Sequence, residues 1–577
     1  MTRLLTRCYK SGATGKLTTT EAACYSTPEE AGLRVKTLPF DHIPHQSKLF
    51  LDYLRDPVAL GRYYPNAVQF HHELSERVPG VLSSYKTDRT ILCDALERMN
   101  TGWGATAETL ANVARLRQAD CVTVVTGQQA GLFTGPLYAI YKALSAVKLA
   151  GCLTQRGTPT VPVFWMATED HDFPEVATAE LIGCDCNLTP VTASAAMHKE
   201  GAPVGRVKID ESIDDTIARA LEILPKTEFT QEIESLLRDA WKTGRSYGEA
   251  FARMMSALLG RHGLILLDPL DPQLKELASP LYAEAARRAP LIAEALVVRS
   301  RELEEDGYHA QVLASSDTFP LFLHLKDGTR HAVTRAGNKT YRIKDGEDEY
   351  TAEALAEWAS REPACFSPNV TLRAVVQDYL LPTVAYFGGS AEVAYFAQSA
   401  EVYRLLDRPV TPILPRASMT IVESRTGHTL ERYGLELSDL FNGLESVLAR
   451  VVEEHLGAET GQAFEHTEVT VNDELDQLRE RLQKVDPTLA DALETGRRKI
   501  NYQLNGLRTR FHRAQMNRDS AIQRQIERAF SCLYPEKTLQ ERHLNISSLI
   551  ARHGHYVIDW IYDAINLGSS DHQIVYL

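Results

Sequence analysis

Residues 121–136 read Cys121-Val-Thr-Val-Val-Thr-Gly-Gln-Gln-Ala-Gly-Leu-Phe-Thr-Gly-Pro136. The β-branched run Cys121–Thr126 has strand character and breaks into three glycines spaced four apart. From Pro136 to Ala150 the apolar positions Ile140, Leu144 and Val147 fall on one helical face, and Pro136 suits a first helical turn. A second apolar run, Thr160-Val-Pro-Val-Phe-Trp-Met-Ala167, leads into Glu169-Asp-His-Asp172. Strand, glycine turn, helix and strand make a βαβ unit, which predicts an α/β fold with a parallel sheet covered by helices. Gly263–Asp268 and Pro382–Phe387 are further strand candidates for the same sheet.

The chain has 577 residues, 44% hydrophobic and 24% charged, enough for a large core and more than one domain. No run approaches 18 apolar residues, so no membrane span is predicted. With 62 Lys and Arg against 76 Asp and Glu, the net charge is −14, unfavourable for general nucleic-acid coating. Nine scattered cysteines, an odd number, and a start without an apolar signal segment point to free thiols in the cytoplasm. Cys184 and Cys186 lack the second pair of a structural zinc site.

Working outward, residues 1–37 are Thr-, Gly- and Ala-rich and read as a flexible extension. Residues 38–437 form the core, with an insertion over about 190–350. Within it, Phe319–Ile343 alternates and turns at Asp327-Gly328 and Gly337-Asn338, as antiparallel hairpins do. Over 438–535, Leu475, Leu478, Leu482 and Val485, then Ile500, Leu504, Leu507, Phe511 and Ala514, step by three and four. That predicts an antiparallel helical coiled-coil arm interrupted at Pro487, with 536–577 returning to the core.

Four constellations carry polar chemistry. The turn Gly127, Gln128, Gln129, Gly131 and Gly135, with Lys142 along the helix, offers backbone donors at a helix start where an anion would bind. It matches neither the dinucleotide fingerprint nor the Walker loop, and a tight βα turn needs glycines anyway. Glu169, Asp170, His171 and Asp172 end an apolar strand, where ligands of open parallel sheets collect. They could hold an amine, move a proton or bind a metal; equally, some could cap the next helix. A third group is Asn369, Arg373, Tyr386, Gly388, Gly389 and Glu392, followed by Arg416. The last is basic: Arg497, Arg498, Lys499, Arg508, Arg510, Arg513, Arg518, Arg524 and Arg528, against Asp519 and Glu527. A solvated or charge-matched coiled-coil face accounts for it, and so would binding of phosphate.

Several of these stretches resemble one family. Val125-Thr-Gly-Gln-Gln-Ala-Gly-Leu-Phe-Thr-Gly-Pro-Leu-Tyr-Ala-Ile-Tyr-Lys142, Pro162-Val-Phe-Trp-Met-Ala-Thr-Glu-Asp-His-Asp-Phe173, the Ser367–Gln398 block, Gln525-Ile-Glu-Arg528 and Leu539-Gln-Glu-Arg-His-Leu-Asn-Ile546 resemble the bacillithiol biosynthesis cysteine-adding enzymes, the BshC family. The resemblance runs from about Leu38 to the C-terminus. It implies a Rossmann-like core akin to class I ligases, connecting-peptide insertions, and a coiled coil that makes a homodimer. It also implies a ligase that joins the carboxyl of cysteine to the amine of glucosaminyl malate.

The His-x-Gly-His and Lys-Met-Ser-Lys-Ser signatures of class I ligases are absent: His42-Ile-Pro-His45 lacks the glycine and Ser418-Met-Thr420 the lysines. ATP as co-substrate is therefore a chemical expectation, since a carboxylate must be activated before an amine attacks it. Whether a metal takes part is left open by these residues. The resulting assignment puts phosphate or carboxylate at the glycine turn with Gln128, Gln129 and Lys142. The substrate amine goes to Asp170, His171 and Asp172, and the malate carboxylates to Arg373 and Arg416. The rival readings are a metal-dependent amino-sugar hydrolase using the acidic cluster, and a non-enzymatic nucleic-acid-binding or scaffold protein using the basic arm.

Overall fold

The computed structural model describes residues 33–194, 198–337, 339–456, 458–518 and 520–577. Its centre is a five-stranded, all-parallel sheet: β1 (Val122–Gln128), β2 (Thr160–Met166), β3 (Ile265–Leu267), β4 (Thr383–Gly388) and β5 (Ile413–Pro415). The order across the sheet is β5-β4-β1-β2-β3. Read from the far edge this is 3-2-1-4-5, the doubly wound order of a Rossmann-like domain, and the direction of winding reverses between β1 and β4. Both faces of β1 are covered, which is why Val122–Thr126 is a continuous buried run and not an alternating one.

Helix α1 (Leu137–Gln155) follows β1 and packs on β1 and β2. Fourteen of its nineteen residues are buried, because other elements cover the side turned away from the sheet. Lys148, within this helix, donates to the carbonyls of Tyr562 (3.0 Å), Asp563 (3.2 Å) and Ile565 (2.6 Å). It thereby caps the carboxyl end of the helix Tyr556–Ala564 and fastens the C-terminal segment to the core.

The span taken as an insertion, about 190–350, is not one piece, because β3 lies inside it. Helices and the hairpin Thr178–Ile182/Leu188–Thr192 lie between β2 and β3. Helix α2 (Pro272–Arg287) and a five-stranded antiparallel sheet lie between β3 and β4. In that sheet Thr318–His324 pairs with both Arg330–Arg335 and Phe366–Pro368. The first hairpin turns at Asp327-Gly328 as expected, with Gly328 at φ +86°; Asn338 of the second turn lies outside the described residues. Helix α3 (Val370–Leu380) leads into β4, and α4 (Ser390–Leu405) leaves it.

A second sheet joins the two ends of the described chain. His572–Tyr576 is its middle strand, antiparallel to Arg34–Leu38 and parallel to Met419–Val422. The expected boundary at residue 37 thus falls inside a strand; residues 1–32 of the proposed extension lie outside the described residues. The main sheet ends with Pro415, and by Met419 the chain is building this second sheet, earlier than the expected boundary at 437. The arm is a hairpin of α5 (Ala458–Val485) and α6 (Pro487–Arg518), and α7 (Ser520–Leu533) returns to the body. Asp486 accepts from the Thr488 N–H at 2.8 Å where the helices reverse, and Pro487 occupies the first turn. Among the described residues, no helix is long and apolar enough to cross a membrane, and the seven cysteines are free thiols.

His572 is fully buried between the Ser418 hydroxyl (Nδ1, 2.7 Å) and the Thr420 hydroxyl (Nε2, 2.9 Å). Burial, aided by Arg416, lowers its pKa from 6.5 to about 4. The unfolded chain therefore takes up a proton between pH 6.5 and 4 that the folded chain refuses. Stability is full above that window and falls as pH drops through it, by about 3 kcal/mol from this group. Urea midpoints measured across the window should fall for the wild type and change less for His572→Gln.

Candidate active site

The turn after β1 is built by close approach. A Cβ on Gly127 would stand 2.6 Å from the Trp165 carbonyl oxygen of β2, and one on Gly131 would stand 2.8 Å from the Gly135 Cα. Gly135 is at φ +72°, where a side chain is strained. The turn is also sealed. Leu137, at the start of α1, donates its N–H to the Leu544 carbonyl (2.8 Å), and the Asn545 side-chain amide donates to the carbonyls of Phe133 (2.9 Å) and Gly135 (2.7 Å). The start of α1 is therefore not the open anion site the sequence suggested. Gly131 and Gly135 serve the turn, and the polar groups reaching the strand ends are Gln128 and Gln129.

Those two amides link the turn to the other constellations. Gln129 Nε2 donates to Asp170 Oδ2 (2.8 Å) and to Glu175 Oε2 (2.7 Å). Gln128 Oε1 accepts from Lys142 Nζ (2.9 Å), which also donates to the Gly127 carbonyl (2.9 Å). Lys142 is ion-paired with Glu392 of α4, across the switch between β1 and β4. Glu392 accepts from the Tyr386 hydroxyl (2.6 Å) and the Gly389 N–H (2.8 Å). Burial raises the cost of its charge, but Lys142 and these donors outweigh it, and its pKa lies below the usual value. Burial draws Lys142 below its own ordinary value, against the pull of Glu392.

The two arginines assigned to malate have internal partners. Arg373 bonds Gln377 Oε1 (3.1 Å) and the hydroxyls of Tyr395 (3.1 Å) and Tyr386 (3.4 Å). Arg416 is paired with the buried Glu541 (2.6 Å), bonds the Ala417 carbonyl (2.8 Å) and lies over the Tyr138 ring. Its backbone N–H reaches the Gly388 carbonyl, closing the end of β4 against β5. Asn369 caps α3, accepting from the N–H groups of Thr371 (3.1 Å) and Leu372 (3.0 Å). The start of α4, at Gly389-Ser390, remains partly exposed beside Arg542, whose guanidinium lies 3.5 Å from the Ser390 hydroxyl.

The acidic cluster diverges. Glu169 turns inward and is ion-paired with the buried Lys275 of α2, which also donates to the Phe366 carbonyl (2.6 Å). Asp172 caps the short helix Phe173–Val176 through the Glu175 N–H (3.3 Å). Asp170 and His171 face outward, with side chains 34% and 43% exposed and 3.6 Å apart. Arg330 of the inserted sheet approaches them, its NH1 3.4 Å from His171 Nδ1. Arg330, Lys275 and Glu175 belong to no motif and spacing alone gave no signal for them; Glu541 and Asn545 lie in the Leu539–Ile546 motif, which gave no sign of what they touch. Among the described residues, no three His, Cys, Asp or Glu are grouped to hold a metal ion.

Two of the arm's basic residues are matched internally: Arg497 pairs with Asp476, and Arg508 with Glu453 (2.5 Å). Arg524 and Arg528 instead line a cavity with Arg425 and Arg432. Asp519 lies outside the described residues.

Strand order and polar strand ends define a Rossmann-like α/β domain carrying a coiled coil. Residues 33–417 match the N-terminal Rossmann-like domain of bacillithiol biosynthesis BshC, and residues 419–577 its C-terminal coiled-coil domain. Proteins named "Putative cysteine ligase BshC" are similar throughout. That of Koribacter versatilis is 37% identical over 538 residues, covering 93% of this chain and 99% of its own. That of Solibacter usitatus is 36% identical over 533 residues (92% and 98%), and that of Salinibacter ruber 32% over 529 (91% and 96%). The chain belongs to the BshC family of bacillithiol biosynthesis.

Breaking the Lys142–Glu392 pair leaves one buried charge uncompensated. Lys142→Met should cost about 3–5 kcal/mol. Lys142→Met with Glu392→Gln should cost less than the sum of the two single changes, as read from denaturant unfolding in a double-mutant cycle.

Proposed function

We propose that this chain is a cysteine ligase that forms the amide between the carboxyl of cysteine and the amine of glucosaminyl malate, the last step of bacillithiol biosynthesis, in the cytoplasm. The observation that carries the reading is the Gln129–Asp170 bridge. It joins the turn after β1 to the acidic loop after β2, at strand ends where such sheets bind their ligands. Asp170 and His171 are the solvent-facing members of that loop, suited to hold an ammonium and take a proton as the amine attacks. Gln129 holds Asp170 in place. Lys142, Glu392, Tyr386, Arg373 and Arg416 set the shape of the site from behind it.

ATP, as co-substrate, supplies the leaving group that makes the cysteine carboxyl reactive. The start of α4, with Ser390 and Arg542, suits its phosphates; the sealed start of α1 does not. A metal-dependent amino-sugar hydrolase finds less support, because Glu169 and Asp172 point away from Asp170 and His171. The arm leaves Val469, Leu478, Ile500 and Leu507 exposed, which supports its pairing with a second copy. Leu478→Glu with Leu507→Glu should then yield a monomer by light scattering.

Incubation with cysteine, glucosaminyl malate and ATP should give the thiol product by mass, with pyrophosphate released. Asp170→Asn should lower turnover by about 100-fold or more while the thermal transition is kept. Wild-type protein that binds both substrates yet forms no product with ATP would refute the ATP-dependent reaction.

A further inference from the structure

The inserted antiparallel sheet reaches the strand ends through one side chain. The Arg330 side chain is only 9% exposed, and its guanidinium stacks on the Phe322 ring, 3.8 Å from the centroid. Its Nε donates to the Ser367 hydroxyl (3.0 Å) and its NH2 to the Pro368 carbonyl (3.0 Å). Ser367 is held in turn by the buried His324 (2.9 Å). These contacts fix the plane of the guanidinium from behind and leave NH1 facing Asp170 and His171.

Among the described residues, nothing fully balances that group. The nearest carboxylate oxygen is Asp170 Oδ1 at 3.9 Å, beyond hydrogen-bonding reach, and Asp170 already accepts from Gln129 and the His171 N–H. Glu169 is committed to Lys275. NH1 has His171 Nδ1 at 3.4 Å, a long contact that leaves N–H capacity unused. A buried guanidinium is ordinarily paired by a carboxylate at hydrogen-bonding distance, as Arg416 is by Glu541. The position is also prepared in advance. The Arg330 N–H donates to the Gly201 carbonyl (2.7 Å), and a few residues on, the Val204 N–H donates to the Asp170 carbonyl (2.6 Å). One short segment therefore sets the spacing between the inserted sheet and the acidic loop.

We propose that Arg330 is a specificity-determining residue that binds a substrate carboxylate at the site of Asp170 and His171. The inference rests on the ligase reading above and names the group that positions its substrate. Both substrates carry carboxylates: the malyl group of the amino sugar and the cysteine itself. Arg416 has Glu541 to balance its charge, and Arg373 turns to Gln377 and two tyrosine hydroxyls; Arg330 faces Asp170 and His171 with no carboxylate oxygen nearer than 3.9 Å.

The test is steady-state kinetics of Arg330→Gln and Arg330→Lys, with glucosaminyl malate and with its dimethyl malyl ester. If the malyl carboxylate is bound, Arg330→Gln raises KM for the acid roughly 10–100-fold, leaves KM for the diester unchanged and keeps most of kcat. Arg330→Lys recovers part of the loss. If the amino-acid carboxylate is bound, KM for cysteine rises instead and the acid-to-diester preference persists. Unchanged KM values for both substrates, with or without a lower kcat or melting temperature, overturn the proposal. Calorimetric titration of glucosaminyl malate and of cysteine, without ATP, separates the two claims. Binding weakened in Arg330→Gln, from a wild type that makes no product, would retain Arg330 and discard the ligase reading. A wild type that binds neither compound would discard Arg330 as well.

Discussion

An ammonium group with almost no exposure to water sits at the point where the sheet changes its direction of winding. Lys142 comes from the helix after β1 and Glu392 from the helix after β4, so their ion pair ties the two halves of the sheet together where they diverge. Neither charge is tolerable alone in that place. Its geometry passes outward. Lys142 sets the Gln128 side chain and the Gly127 carbonyl, and Glu392 sets Tyr386 and the start of α4. The polar groups that face the strand ends are thus supported by a layer whose own hydrogen bonds are satisfied. Such support is what keeps a binding geometry from drifting.

The remaining sides of the site come from distant parts of the chain. Lys275 holds Glu169 from α2, Arg330 enters from the inserted sheet, and Asn545 seals the first turn from the C-terminal segment. Glu541 neutralises Arg416 from the same segment and also accepts from the Met419 N–H (2.9 Å) and the Ser418 hydroxyl (3.0 Å). Through these contacts the second sheet, the C-terminal segment and the Rossmann-like core share one polar seam. Among the described residues, the arm stands apart from it and contributes no side chain to the strand ends.

Much of the fold was legible in the sequence because its signals are local. The run Cys121–Thr126, the three glycines and the periodicity from Pro136 to Ala150 each report on neighbouring residues, and together they imply the parallel sheet. The site was only half legible, for the converse reason. Asp170 and Gln129 lie 41 residues apart; both read as site residues, but the sequence assigned them to different ligand groups and did not pair them. A helix start followed by a lysine looks like an anion site until a carbonyl 407 residues away occupies its first N–H. Glu169 and Asp172 read as equals of Asp170, since adjacent acidic residues carry no mark of which one turns inward. Only the placement of Lys275 and the start of a four-residue helix separates them.

The seal over the first turn bears on the order in which the protein is made. All five strands of the main sheet have been synthesised once Pro415 has appeared, yet Leu544 and Asn545, which close the turn, lie beyond the whole arm. The carbonyls that hold Lys148, and the strand His572–Tyr576, come later still. A nascent chain can therefore pair its sheet while the outer side of α1 is bare and the first turn unlocked. This apolar helix keeps its outer side exposed until the segment after the arm docks, a state prone to aggregation during synthesis. The polar surroundings of the strand ends are complete only once Glu541, Arg542 and Asn545 have been added, so a chain interrupted in the arm carries the earlier motifs without these partners.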